Sequence, residues 1–184
     1  MTTGETATTL PTLDDDLLTE GVPEAEFNPG IASRLPAKNV AGAGLIRDTQ
    51  GRLLLVEPIY KPTWIMPGGA VEANEDPRLG CRRELAEELG LDLEPGRLLI
   101  VDWVPQHGVW GDQLQFVFDC GVLDADQIAA LTLQESELRA THSVAPAELR
   151  SVPLTPSLAR RLDLALTALE QGTTEFTSYG RLGR

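Results

Sequence analysis

Three glutamates lie close together near the middle of the chain, in the segment Arg83-Glu84-Leu85-Ala86-Glu87-Glu88. On an ideal helix Glu87, Glu84 and Glu88 fall at roughly 40°, 100° and 140° from the preceding arginine, so the carboxylates share an arc of about 100°. Carboxylates held this close repel one another, and the repulsion grows where water is partly excluded. A hard divalent cation removes this conflict, and Mg²⁺ held by carboxylates and substrate phosphates fits such a site. The spacing therefore indicates metal-assisted phosphate chemistry.

The same run is also typical of a solvated helix surface held by salt bridges, and the helix alone does not separate the two interpretations. The residues around it favour the metal site. Gly69 is followed after five residues by Glu75, and Glu75 after seven more by Arg83-Glu84. The pattern closes with Gly90 and the apolar Leu91.

This pattern resembles the box of the Nudix hydrolases, which runs Gly, five residues, Glu, seven residues, Arg-Glu-apolar-any-Glu-Glu-any-Gly-apolar. All nine defined positions match between Gly69 and Leu91. The preceding Trp64-Ile65-Met66-Pro67-Gly68 also resembles the usual approach to the box. The resemblance implies a Nudix-type α/β/α sandwich.

The resemblance also implies roles for individual residues. In this family the helix of the box holds Mg²⁺ or Mn²⁺, and water attacks a phosphorus of a nucleoside diphosphate linked to another group. The expected metal ligands are Glu84, Glu87 and Glu88, with the Gly68 carbonyl as a candidate further oxygen. Structural roles, bracing or bending the chain around the helix, are expected for four residues of the box: Gly69, Glu75, Arg83 and Gly90.

The general base is left open among three glutamates. Family members often use an acid from a loop well after the box, and Gln134-Glu135-Ser136-Glu137 is that loop here. Its position relative to the strand that follows favours Glu137 over Glu135. Glu84 is the competing assignment.

Three aromatic residues are candidates for contact with the substrate: Trp110 in a glycine-rich loop, and Tyr60 and Trp64 just before the box. Aromatic rings offer flat area at low entropic cost, which suits stacking on a nucleobase. The two histidines, His107 and His142, have no partner at a ligand spacing, so we expect solvated positions in a loop or at a strand end.

The elements that position these residues follow from periodicity and from turn residues. Helix 77–89 is predicted to begin at a proline and end before Gly90, and helix 156–171 has leucines at core-facing spacing. Strands are predicted at 40–46, 52–56, 97–104, 114–122, 131–133 and 142–144, the first two forming a hairpin. This order predicts an α/β fold with a mixed sheet between helices.

Composition limits the class of protein. The chain has 184 residues, 42% of them hydrophobic, and a formal net charge of −13, so a sizeable core is expected and nucleic acid is not an expected partner. No apolar run approaches the roughly 20 residues that cross a bilayer. Two cysteines make no disulfide framework. We expect a cytoplasmic protein without a membrane segment.

Three regions are predicted along the chain. Residues 1–36 form an acidic arm with seven acids before the first base, residues 37–172 the Nudix domain, and residues 173–184 a C-terminal tail. The arm is expected to be mobile. Its alternative role is pairing across a homodimer through four leucines: Leu10, Leu13, Leu17 and Leu18.

The sequence therefore predicts a Mg²⁺-dependent pyrophosphohydrolase. Its substrate would be a small-molecule nucleotide of the nucleoside triphosphate, ADP-ribose or nucleotide-sugar class. The alternative is a Nudix-fold ligand-binding or regulatory module without turnover. The complete box favours the enzyme.

Overall fold

The computed structural model describes residues 17–20, 22 and 25–183, and the chain forms two compact units, Met1–Ala37 and Lys38–Arg184. In the first unit a short helix, α1 (Ile31–Arg34), has Glu26 at its start, which accepts hydrogen bonds from the N–H groups of Gly30 and Ala32. Leu17 and Leu18 are exposed. The other two leucines proposed for a dimer, Leu10 and Leu13, lie outside the described residues.

Within residues 38–183 the second unit contains a seven-stranded mixed sheet, three α-helices and a short 3₁₀ helix (Pro146–Glu148). The strands are β1 (Asn39–Asp48), β2 (Leu53–Pro58), β3 (Gly68–Ala70), β4 (Leu98–Val104), β5 (Gln113–Leu123), β6 (Leu138–Val144) and β7 (Glu175–Ser178). The helices are α2 (Pro77–Leu89), α3 (Ala125–Ala129) and α4 (Pro156–Gln171). The strand order is β6-β2-β1-β5-β4-β7, with β3 also paired to β1. The pairs β1–β5 and β4–β7 are parallel and the others antiparallel, which confirms the predicted α/β fold with a mixed sheet.

Two hydrophobic cores hold the layers together. On one face of the sheet Leu85 and Leu89 of α2 are fully buried, and on the other Leu158 and Leu162 of α4 are buried. Burying each leucine side chain contributes about 1.5–3 kcal/mol, so each helix is fixed to its face mainly by these contacts. The result is the predicted sandwich of helix, sheet and helix.

Local signals explain why the two long helices have the predicted bounds. Asp76 caps α2 by accepting from the Arg78 N–H (2.8 Å), Pro77 occupies the first turn, and Gly90 ends the helix with φ 67°. In α4, Thr155 caps the start of the helix by accepting from the Leu158 N–H, and Gly172 ends the helix with φ 71°. The predicted hairpin is also confirmed, since β1 and β2 pair antiparallel with Arg47 opposite Leu53.

The structure differs from the sequence prediction in two places. Residues 131–133 form no strand, because the Thr132 N–H donates to the Leu89 carbonyl at the end of α2 (3.0 Å) and not to a neighbouring strand. Just before them the chain forms α3, whose start is closed by reciprocal hydrogen bonds between Asp124 and Gln127. The segment assigned to a tail, 173–184, contains β7, which lies parallel to β4 at the edge of the sheet. Its four residues are too short a run to show alternation. Within the described part of the chain, no helix is long and apolar enough to span a membrane.

Candidate active site

Close backbone packing joins the box helix to the sheet. Strand β3 pairs with β1 so that Gly69 lies opposite Gly42, and α2 lies directly against both. A Cβ atom on Gly69 would fall 2.5 Å from the carboxyl carbon of Glu84, and one on Gly68 would fall 2.3 Å from the Gly42 carbonyl oxygen. Gly68 also has φ 130°, a conformation that other residues rarely adopt. Glycine at these two positions therefore allows β3, the box strand, to lie in contact with the Glu84 carboxylate and with Gly42 of β1.

Arg83 is the centre of an ion-pair cluster. Its guanidinium donates to both oxygens of Glu75 (3.0 Å each), to Glu84 (2.8 Å) and to Glu87 (3.2 Å), and also to the Ala70 carbonyl (2.8 Å). The hydrogen bonds from Arg83 hold the pKa of Glu75 below its usual range. Glu75 also accepts from the Glu72 N–H, so it fixes the loop that precedes α2. The arginine thus positions two of the predicted metal ligands.

Glu88 is the most buried acid of the box, with 4% of its surface exposed. It accepts one hydrogen bond, from the Gly68 N–H (2.8 Å). Burial, with the nearby charges of Glu84, Glu137 and Glu87, raises its pKa to about 7. Burial also raises the pKa of Glu84. These two carboxylates are held where the anionic form is costly without a cation.

The loop before β6 closes over the end of α2. The Gln134 N–H donates to the Glu88 carbonyl (3.0 Å), and the Ile59 N–H donates to the Glu137 carbonyl (2.8 Å). The charge of Glu137 contributes to the raised pKa values of Glu84 and Glu88, so the structure brings Glu137 to the carboxylates of the box. Glu135, two residues earlier, is exposed.

The carboxylates do not converge on one cation position in this arrangement. Among the described residues, no three acidic, histidine or cysteine side chains are placed to hold a metal ion together. Arg83 engages Glu84 and Glu87, while the Gly68 N–H engages Glu88. The donor set still fits a hard divalent cation, since it consists of oxygens only and includes a buried carboxylate with no cationic partner among the described side chains.

A cleft of about 1000 Å³ adjoins the box at Gly68 and Gly69, and all three predicted aromatic residues line it. Trp110 is 70% exposed, at the tip of the loop between β4 and β5. Tyr60 is exposed as well. Partial burial of its hydroxyl and the charges of Glu88, Glu137 and Glu84 raise its pKa, so Tyr60 also borders the acidic cluster.

Trp64 has one ring face covered. His142 stacks on it with ring centroids 3.6 Å apart and planes 6° from parallel, and His142 Nε2 lies 3.0 Å from Glu57 Oε2. The predicted solvated position of His142 is therefore wrong, because the residue lies within β6 between Trp64 and Glu57. His107 is exposed in its loop, as predicted.

The sequence did not identify a buried ion pair beside the cleft. Arg161 on α4 lines the cleft, and its partner Asp102 on β4 is fully buried. The only sequence signal is a charged residue within the apolar face of α4, and its partner lies 59 residues earlier in the chain.

Comparisons with known proteins agree with this fold. The model of a family described as the NUDIX domain matches residues 37–164. The chain is 37% identical to a MutT-like protein of Streptomyces ambofaciens over 70 residues, which is 38% of this chain and 46% of that protein. It is 31% identical to an RNA pyrophosphohydrolase of Hydrogenovibrio crunogenus over 105 residues, or 50% of this chain and 64% of that protein.

The chain thus spans less than two thirds of the length of each of these two relatives. Among solved structures, the MutT protein from Methanosarcina mazei Go1 is similar with a TM-score of 0.61 and 22% identity, covering 75% of this chain and 98% of that one. This likeness supports the fold.

Proposed function

Since the chain belongs to the NUDIX domain family, we propose that it is a Mg²⁺-dependent pyrophosphohydrolase, with Mn²⁺ as the alternative cation. Its substrate is a nucleoside diphosphate linked to another moiety, of the nucleoside triphosphate, ADP-ribose or nucleotide-sugar class. The observation that carries the proposal is Glu88, a carboxylate 4% exposed beside Glu84, in a family whose box this chain matches completely. A buried pair of like charges is stabilised when a cation binds it.

The cation would be held by the carboxylates of Glu84, Glu87 and Glu88 and by the Gly68 carbonyl. When bound, it supplies activation of a water molecule and neutralisation of charge on the phosphate oxygens. Arg83 holds Glu84 and Glu87 in the ion-pair cluster before binding, and Glu75 in turn holds Arg83. These contacts restrict the carboxylates to the side of α2 that faces the box strand.

Glu137 is the residue that we propose as general base. Its loop is anchored to α2 through Gln134 and to the end of β2 through Ile59, and its carboxylate is exposed and close enough to perturb Glu84 and Glu88. An exposed carboxylate beside the proposed metal ligands is suited to accept a proton from water. Glu84 is less suited, because Arg83 already occupies it and burial favours its neutral form.

The cleft supports the choice of a nucleotide-sized ligand. Its volume of about 1000 Å³ reaches from Gly68 and Gly69 to the aromatic rings of Trp110 and Tyr60. The net charge of −13 favours a small molecule over a nucleic acid as partner. The free thiols of Cys81 and Cys120 support a cytoplasmic location, where cysteines stay reduced.

A panel of nucleotides and nucleoside-diphosphate derivatives, incubated with and without Mg²⁺ and analysed by product chromatography, tests the proposal. We expect cleavage of a phosphoanhydride bond only with the metal. Glu87→Gln should lower turnover by orders of magnitude while the fold is retained, since a metal ligand is lost and a repulsion is relieved. Glu94→Gln is the matched control, because Glu94 is an exposed acid that pairs with Arg82 just beyond α2.

Two results would contradict the proposal. If no compound is cleaved with Mg²⁺ or Mn²⁺ but one binds, the protein is a ligand-binding module without turnover. If Glu87→Gln retains full turnover, the carboxylates of the box are not the metal site.

A further inference from the structure

Arg161 is a buried cation in the wall of the cleft. Only 5% of its surface is exposed, yet it lines the cleft together with Ser157 and Leu158 from the first turn of α4. Its Nε–H donates to Asp102 Oδ2 (2.7 Å), and its Nη2 lies 2.5 Å from the same oxygen. The two nitrogens on one side of the guanidinium thus share a single carboxylate oxygen.

Both carboxylate oxygens of Asp102 accept hydrogen bonds within the protein. Its second oxygen, Oδ1, accepts from the Thr177 hydroxyl (2.6 Å) and from the Gly180 N–H (2.9 Å), and the residue has no exposed surface. Thr177 belongs to β7 and Gly180 follows it, so the edge of the sheet orients the carboxylate. Because the carboxylate is fixed from two sides, the plane of the guanidinium is fixed as well.

One edge of the guanidinium remains for a ligand. The group has five N–H donors, of which Asp102 takes the Nε–H and one on Nη2. No acceptor for Nη1 is found within residues 25–183. The edge formed by Nη1 and the second Nη2 hydrogen is therefore a fork of two donors, held rigidly at the wall of the cleft.

The pairing of Arg161 favours a neutral, flat acceptor over an anion. Asp102 already neutralises the guanidinium, so an anion buried against its free edge would add a negative charge that Arg161 does not compensate. The rest of the lining carries both signs, with Lys38 and Lys61 as well as Glu72 and the Arg83-paired Glu75. The cleft also presents the aromatic side chains of Trp110 and Tyr179, which suit a planar ring. A nucleobase with two adjacent acceptors matches both the fork and the rings.

We infer that Arg161 recognises the O6 and N7 acceptor edge of a 6-oxopurine, so that guanine or hypoxanthine nucleotides are bound in preference to adenine nucleotides. Arginine donates to O6 and N7 of guanine as a fork, whereas adenine presents a donor amino group at the position of O6. The inference rests on the proposed function only in taking the ligand to be a nucleotide. It requires no turnover.

Calorimetric binding of four monophosphates to the full chain in metal-free buffer tests the inference, because all four carry the same phosphate. We expect GMP and IMP to bind about 10- to 100-fold more tightly than AMP, with 7-deaza-GMP in between because it lacks N7. Equal affinities for GMP and AMP in the wild-type protein would overturn the inference. Because binding is measured without metal, GMP and AMP can differ in affinity even if the protein hydrolyses no nucleotide. That result would support this inference and contradict the proposed function.

Substitution of the arginine gives the second measurement. Arg161→Lys keeps the charge beside Asp102 but loses the fork, so GMP affinity should fall to the level of AMP while AMP affinity is unchanged. Arg150→Lys is the matched control, since Arg150 is an exposed arginine that pairs with Asp163 and does not line the cleft. If Arg161→Lys weakens GMP, AMP and inorganic phosphate equally, Arg161 binds phosphate and the inference is wrong. If that variant does not fold, the wild-type series decides alone.

Discussion

Glu88→Gln should stabilise the metal-free protein at alkaline pH. Glu88 is 4% exposed, and its pKa is raised from 4.5 to about 7, chiefly by burial. A raised folded-state pKa means that the folded protein holds this proton more tightly than the unfolded chain does. The resulting stabilisation is fully present below about pH 4.5 and is lost as the pH rises through about 7.

The size of the effect follows from the same values. A pKa rise from 4.5 to about 7 corresponds to roughly 3 kcal/mol, since each unit is worth about 1.4 kcal/mol. Glutamine stays neutral at every pH, and its amide oxygen can still accept from the Gly68 N–H. The variant should therefore match the wild-type protein near pH 4 and exceed it by roughly 2–3 kcal/mol near pH 8.

Thermal unfolding in EDTA, followed across this pH range, measures the difference. For a chain of this size 1 kcal/mol shifts Tm by about 2–4 °C, so the variant should melt roughly 4–12 °C higher near pH 8. Adding Mg²⁺ should then raise the Tm of the wild-type protein more than that of the variant. Glu94→Gln serves as the control for the loss of one exposed carboxylate. A difference between Glu88→Gln and wild type that does not change with pH would refute the reasoning, because an ionisation buried in the folded state must depend on pH.

Two further predictions concern the loop and the arm. Glu137→Gln should reduce turnover about 10²- to 10⁴-fold without abolishing metal binding, whereas Glu135→Gln in the same loop should have a much smaller effect. A larger loss from Glu135 would move the base by two residues, and no loss from either would assign it to Glu84. Deletion of residues 1–33 should shift Tm only slightly and leave turnover within a few fold, since every proposed metal ligand and the proposed base lie at or after Gly68. Thermal unfolding and turnover assays on both forms check this, and light scattering shows whether the arm pairs across a dimer. A dimer that dissociates and loses activity on truncation would contradict the prediction.

Local signals account for what the sequence predicted well. Both long helices carry a capping residue, a proline in the first turn and a terminal glycine, all within a few residues of their bounds. The spacing of the box likewise places Glu84, Glu87 and Glu88 on one side of α2, because helical geometry alone determines it. Such features depend on contacts close in sequence, so a single chain is enough to predict them.

The features that the sequence did not predict depend on contacts between distant residues. Strand β7 is defined by pairing with β4, about 75 residues earlier in the chain, and not by its own composition. His142 stacks on Trp64 because β6 pairs with β2, which places His142 opposite Leu55, while the next residue of β2, Val56, pairs with Ile65. The sheet order therefore had to be known before either residue could be placed.

The two charged groups that define the site lie on opposite faces of one sheet and have opposite signs. At α2, Arg83 pairs with three glutamates, Glu75, Glu84 and Glu87, so their negative charge exceeds its positive charge and favours a bound cation. On α4 the buried Arg161 is balanced by Asp102 and leaves donors but no net charge. Phosphate chemistry needs the first arrangement, and recognition of a neutral base edge needs the second. Because separate hydrophobic cores hold the two helices, substitutions at Arg161 should change which nucleotide is bound and leave metal binding at α2 unaltered.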